Sequence, residues 1–265
     1  MHAFLNKIRD INGNLSQRFF AVWYRNFRVW LKFYKPSIIG DILEPLLFLA
    51  AFSLGIGKFI HYIHGVPYII YIVPGIIASS SMYAAAFEAT FGSYTRMATK
   101  GVFDAILVTP VSIEEIVAGE VIWGTTKAFM SGASVLLVAL LFKWIVSPYV
   151  IFIPFIIILN GIMFSSLSLF ITSFSPSYDF FSYYFTIAVS TMFLFSGVFY
   201  PVSALPAFIR FFVYFMPLYH TVSLIRLLDE GKFSPLIFLN LIVIILFSLI
   251  FFYLSVIFIK KRLIT

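Results

Sequence analysis

The stretch RMATKGVFDAILVTP, residues 96–110, interrupts a chain that is 62% hydrophobic and only 11% charged. Before it, apolar residues run from Val66 to Phe87 and on to Gly92; after it they resume and continue from Val121 to Phe142. In the interruption and its flanks stand Arg96, Lys100, Asp104, Glu114, Glu115 and Glu120. A polar connection between two runs long enough to cross ~30 Å of hydrocarbon belongs on one face of a membrane. Thr109-Pro110 closes one short element, because proline disfavours helix in the residue before it. Ser112 followed by Glu115 forms a capping box, so a new helix is expected to start there and run into the next span. Met97, Phe103, Ile106 and Leu107 make a short apolar stripe, which predicts a short amphipathic helix suited to a groove on a partner protein. Spacing alone is equally compatible with a turn that hugs the membrane.

The surrounding composition agrees with a membrane setting. Among 265 residues there are 34 Phe and 15 Tyr, and the apolar share exceeds the roughly 45–50% usual in soluble domains. With no cysteine, disulfides, thiolate metal sites and cysteine nucleophiles are excluded. The four histidines, His2, His61, His64 and His220, are too scattered for a metal site. The first apolar run begins only near Ile38, behind a basic and aromatic lead-in, so no cleavable secretory signal is expected.

Six segments have the ~20 apolar residues that a crossing needs: 38–60, 66–92, 116–142 (apolar from Val121), 149–174, 180–200 and 236–259. An even number places both termini on one side. Twelve of the 18 Lys and Arg fall on that side: Lys7 to Lys35 before the first span, Arg96 and Lys100, and Lys260 to Arg262 after the last. The excess marks the cytoplasmic face, so the net charge of +7 reflects topology rather than nucleic-acid binding. The expected architecture is all-α and membrane-embedded, with residues 1–36 as a lead-in and 37–265 as one transmembrane domain.

Two further elements are expected. Phe19, Phe20, Trp23, Phe27 and Trp30 recur at helical spacing, with Arg18, Arg25, Arg28 and Lys32 on other faces, which predicts an amphipathic helix in the cytoplasmic interface. After the fifth span, Pro201, Pro206, Pro217 and Pro235 cut the chain into pieces too short to cross, so two re-entrant helices are expected near Ala207–Met216 and Leu218–Leu228.

Charges within spans are unfavourable and each requires a partner. Glu120, Trp123 and Lys127 share one face of the third span and Glu88 lies at comparable depth on the second, so Lys127 is expected to pair with Glu88 or Glu120. Asp41 and Glu44, at the inner end of the first span, are expected to face Arg28 or Lys32 of the interface helix. For cargo, Tyr83, Phe87, Tyr183, Tyr184, Phe195 and Tyr200 offer rings that could stack on sugar faces or lipid tails.

Several motifs resemble those of ABC-2 type transporter permeases, closest to the nodulation-signal (lipo-chitooligosaccharide), saccharide and drug exporter branch. They are DILEPL (41–46), VPGI (73–76), FEATFGSYTRM (87–97), FDAILVTP (103–110) and EVIW (120–123). The resemblance covers roughly Trp30 to Glu230 and is most specific from Phe87 to Lys127. It implies six spans, an N-terminal interface helix, a re-entrant pair before the sixth span and a coupling helix formed around Arg96, Met97, Lys100, Phe103, Asp104, Ile106, Leu107 and Pro110. It also implies a dimer of permeases in a bacterial or archaeal inner membrane, carrying two ATP-binding subunits that hold ATP and Mg. No G-x-x-x-x-G-K-[ST] occurs here, so this chain is expected to be no enzyme and to carry no cofactor of its own. Its cargo would be a lipid-linked saccharide or another amphiphile. An ion-coupled transporter or channel is the rival reading, and a membrane scaffold the third; sparse deep acidic residues weigh against the former.

Overall fold

The structure is a computed structural model and describes residues 16–145, 147–231 and 233–264. Lys7, Arg9, His2 and Lys232 lie outside the described residues. The chain is mostly helical: α1 (Phe19–Trp30), α2 (Tyr34–Ile38), α3 (Glu44–Gly55), α4 (Tyr68–Phe87), α5 (Val102–Leu107), α6 (Ile113–Leu141), α7 (Ile153–Phe174), α8 (Asp179–Tyr183), α9 (Ser190–Phe195), α10 (Ala207–Val213), α11 (Pro217–Asp229) and α12 (Leu236–Ile264). Among the described residues, five continuous helices are long and apolar enough to cross a membrane: Tyr34–Lys58, Tyr68–Thr99, Ile113–Leu141, Pro148–Phe174 and Leu236–Ile264. The expected fifth span, 180–200, is realised as a shorter apolar helix, Asp179–Phe195, followed by irregular chain.

Several spans contain π turns. Ile39–Leu43 joins α2 to α3, Glu88–Gly92 and Thr95–Thr99 prolong α4, and Tyr184–Val189 joins α8 to α9. Each π turn inserts extra residues and rotates the downstream side chains around the axis. The second span therefore continues as helix to Thr99, further than its apolar run, and carries Arg96 inside it.

The helix boundaries follow local chemistry. Ser112 Oγ accepts from the Glu115 amide and the Glu115 carboxylate accepts from the Ser112 amide, so the predicted capping box starts α6. Between α3 and α4 the strands β1 (Tyr62–Ile63) and β2 (Val66–Pro67) pair antiparallel around His64-Gly65. Both turn residues have positive φ, 51° and 80°, the geometry that matches strand twist in a two-residue hairpin. Proline also ends helices where expected: α10 and α11 meet at 87° around Pro217.

The packing centre is α4, whose residues from Tyr71 to Met82 are all buried between α6, α7 and α11. Asn160 of α7, fully buried, donates to the Ala78 carbonyl (3.0 Å) and Ser81 Oγ (2.6 Å) of α4 and accepts from Thr221 Oγ1 (2.7 Å) of α11. A buried amide is tolerated when its hydrogen-bonding capacity is met in this way. A second, smaller apolar cluster joins α1, α5 and the first turns of α6 through Val22, Phe103, Leu107, Ile113 and Val117.

Candidate functional site

Two ion clusters sit on one face of α6, at Glu120 and Lys127, seven residues or about two turns apart. The first is closed. Arg96 Nη2 donates to Glu120 Oε2 (2.5 Å) and Glu88 Oε1 (2.8 Å), while its Nε lies 3.0 Å from both Glu120 oxygens. Ser93 Oγ donates to Glu120 Oε2 (2.6 Å) and Asn26 Nδ2 of α1 to Glu120 Oε1 (2.8 Å). Glu120 is 1% exposed. The two π turns after α4 turn Glu88, Ser93 and Arg96 toward α6 together. Behind Asn26, Arg25 donates to its Oδ1 (2.8 Å). Burial, together with the positive Arg96 nearby, lowers the Arg25 pKa from its ordinary value, and Glu120 opposes that shift.

The second cluster is open to a cavity. Lys127 Nζ pairs with Asp41 Oδ2 and donates to Ser37 Oγ (2.5 Å). Ser37 Oγ also receives the Trp30 indole N–H (2.8 Å) and donates to Asp41 (3.1 Å). Lys127 Nζ stands 5.7 Å from the Trp30 ring centre. Thus Lys127 closes the base of the first span onto the third. The expected pairing of Lys127 with Glu88 or Glu120 is corrected: the π turns bring Arg96 back onto both carboxylates, leaving Lys127 to Asp41. The expected pairing of Asp41 and Glu44 with Arg28 or Lys32 is corrected too, because Lys127 of α6 takes Asp41. Arg28 lies over the Tyr24 ring at 5.9 Å, Lys32 is exposed, and Glu44 is exposed beside the cavity.

That cavity, about 630 Å³, lies between the first span, α4, α6 and the α8–α9 segment. Tyr83 and Phe87, two of the six aromatics put forward from the sequence, line it. Of the other four aromatics, Tyr183 faces outward at 67% exposure and Tyr184 is buried with its hydroxyl 2.9 Å from Ser168. Phe195 and Tyr200 are half-buried and do not line it. Phe48, Phe185 and Phe193 do, and the sequence reading missed them. The only signal available was their position on apolar segments, which they share with dozens of other rings.

The segment 96–110 also differs from expectation in its orientation. Met97, Phe103 and Leu107 are buried at 5%, 1% and 5% exposure against the protein's own small cluster, with Ile106 half-buried. A six-residue helix gains more by covering its apolar side on Ile113, Ile116 and Phe181 than by holding it in water. What it presents outward is Lys100, Asp104, Ala105, Val108, Thr109 and Pro110. Gly101, in the left-handed region at φ 57°, makes the sharp entry into α5. The residues just before α1 tie down both sides of the turn: Arg18 Nη1 donates to the Pro110 carbonyl (2.5 Å) at the end of this segment, and Ser16 Oγ donates to Glu115 Oε1 (2.5 Å) in the first turn of α6. Gly119 lets α1 lie close, since a Cβ there would fall 2.6 Å from Val22 Cβ and 2.8 Å from the Phe19 carbonyl. Trp23 Nε1 completes the contact by donating to Thr126 Oγ1 (3.0 Å).

A chain built this way matches known proteins over most of its length. It is 34% identical over 248 residues to nodulation protein J of Rhizobium meliloti, covering 92% of this chain and 93% of that one. The match to nodulation protein J of Sinorhizobium fredii is 32% over 245 residues, covering 92% and 94%. The inner membrane transport permease YadH of Escherichia coli is 24% identical over 206 residues, covering 77% and 79%. The model of the ABC-2 type transporter family matches residues 17–228, and with this coverage the chain belongs to that family of multi-pass membrane permeases.

Proposed function

We propose that this chain is the permease subunit of an ATP-driven exporter, working as a dimer with two copies of a separate ATP-binding subunit that holds ATP and Mg. Both termini and the 96–110 segment face the cytoplasm in this reading. The ATPase docks on the outward rim of α5, where Lys100 and Asp104 offer opposite charges beside the apolar Val108 and Pro110. The observation that carries the reading is how that rim is mounted: its inner side is packed on α6, and the helix leading to it ends in the Arg96 triad. Motion of the rim is therefore passed to α4, α6 and, through Asn26 and Arg18, to α1 as a rigid unit. Closure of two ATPase subunits would shift the dimer between inward- and outward-opening states by binding ATP differently in each.

The cargo in this reading is an amphiphile, a lipo-oligosaccharide or lipid-linked saccharide first among them. The chain's similarity to nodulation protein J supports that class, and so does a cavity that combines aromatic walls with a polar floor. Function still rests on the site rather than the fold.

The test is ATPase activity of the chain reconstituted in lipid with its ATP-binding subunit, comparing the native protein with Asp104→Arg combined with Val108→Asp. Both positions are exposed, so the variant is expected to fold normally. Loss of co-purification or at least a tenfold fall in coupled hydrolysis is the expected result, roughly the effect of losing a desolvated contact at an interface. Full assembly and activity of the variant would sink the docking assignment.

A further inference from the structure

The cavity's charges are unequal. Three carboxylates, Asp41, Glu44 and Glu88, line it against one ammonium, Lys127. Arg96 compensates Glu88 from behind and Lys127 compensates Asp41. Among the described residues the ion pairs join Arg96 to Glu88 and Glu120 and Lys127 to Asp41, and Glu44 takes part in none of them. An ionised carboxylate only accepts hydrogen bonds. The facing wall is aromatic: Tyr83 meets Phe193 edge-on at 5.5 Å and lies over Phe185 at 6.4 Å, and Phe87 meets Phe185 at 6.4 Å. Ser79 and Ser80 add hydroxyls whose protons are committed to backbone carbonyls, so they too can only accept from a ligand.

We propose that this cavity is a head-group site for an amphiphile whose head carries hydrogen-bond donors and no negative charge, and that Glu44 sets this preference. The proposal rests on the exporter reading for the amphiphilic character of the ligand. Hydroxyl, amide or ammonium donors satisfy Glu44 and the serine oxygens, while ring faces cover the apolar side of a sugar or the start of a chain. A phosphate or carboxylate head instead meets a like charge that no ion pair offsets, the arrangement by which proteins turn away wrong partners. Neutral glycosides and cationic amphiphiles share the accepted chemistry; lipids linked through phosphate or pyrophosphate do not.

The full chain in nanodiscs of zwitterionic lipid, without any ATPase, provides the test. Trp30 and Trp123, whose rings lie 6.3 Å apart beside Lys127, report on the cavity by fluorescence. Dodecyl glucoside, dodecylammonium and dodecyl phosphate share one tail and are titrated with partition into empty nanodiscs subtracted. Saturable binding of the glucoside or the ammonium about tenfold or more tighter than the phosphate is expected, and whichever of the two leads identifies the head. Glu44→Gln is expected to retain the glucoside and to bring the phosphate within about threefold of it; a melting curve confirms that this exposed substitution leaves the fold intact. Phosphate binding as tight as the glucoside, no saturable binding by any probe, or an unchanged ratio in Glu44→Gln would each overturn the proposal. Because no ATPase is present, failure of the docking experiment above leaves this outcome readable, and the reverse holds.

Discussion

The Glu120 and Lys127 clusters share a helix face yet meet opposite surroundings. Around Glu120 the side chains of Arg96, Ser93 and Asn26 supply donors to both carboxylate oxygens, and almost no surface is left. Around Lys127 the partners are fewer, Asp41 is partly exposed, and one side is a cavity. Buried charge is tolerable when it is both paired and hydrogen-bonded. The first cluster meets that condition and holds three helices in register. The second meets it only in part, which leaves a polar surface that another molecule can reach.

If the first cluster is the structural one, Arg96→Met should have the largest effect. It leaves two carboxylates uncompensated between α4 and α6, and a loss of about 3–5 kcal/mol is expected. Thermal unfolding in detergent measures it, and adding Glu88→Gln with Glu120→Gln should recover much of the loss. A stable single variant would break the contrast. Gly119→Ala is next: its methyl group meets Val22 and the Phe19 carbonyl, so α1 must shift, at about 1–3 kcal/mol. The chain contains no cysteine, so a disulfide engineered between α1 and α6 gives a clean readout and is expected to form more slowly in this variant. Trp23→Phe removes one indole bond to Thr126 and is expected to lower stability by only about 1 kcal/mol. A larger loss measured by the same unfolding assay would mean that α1 is seated by this contact rather than by the triad.

Much of this architecture was legible in the sequence, and the parts that were not have a common cause. The capping box at Ser112, the hydrophobic runs, the aromatic spacing of α1 and the proline breaks around α10 and α11 are local signals, and local physics decides them. The pairing of Arg96 was not legible, because face assignments assume 3.6 residues per turn. Two π turns between Glu88 and Thr99 add residues and rotate everything after them. From Glu88 onward a regular helical wheel therefore points side chains the wrong way, and the break in the apolar pattern put Arg96 in the polar connection rather than at the end of the second span. The inward stripe of α5 escaped for a different reason. A stripe on a short helix marks only that something covers it, and Phe181, Ile113 and Ile116 come from distant or later segments. Likewise the cavity aromatics could not be singled out, since lining depends on which of many rings face one gap.

Asn160 carries a mechanical consequence. Its one amide bonds α4, α7 and α11 simultaneously, so none of the three can slide past the others without stranding a buried donor or acceptor, at about 1–3 kcal/mol for each. These three helices form the stator of the chain. The first span has no such rivet: only 11% of its apolar window is buried, and its polar anchors are concentrated at the Asp41 end. Beyond the Lys127–Asp41 foot its contacts are apolar, with Leu49 in the core and Phe52 against Phe199 at 4.3 Å, and such contacts set no register along the axis as the Asn160 amide does.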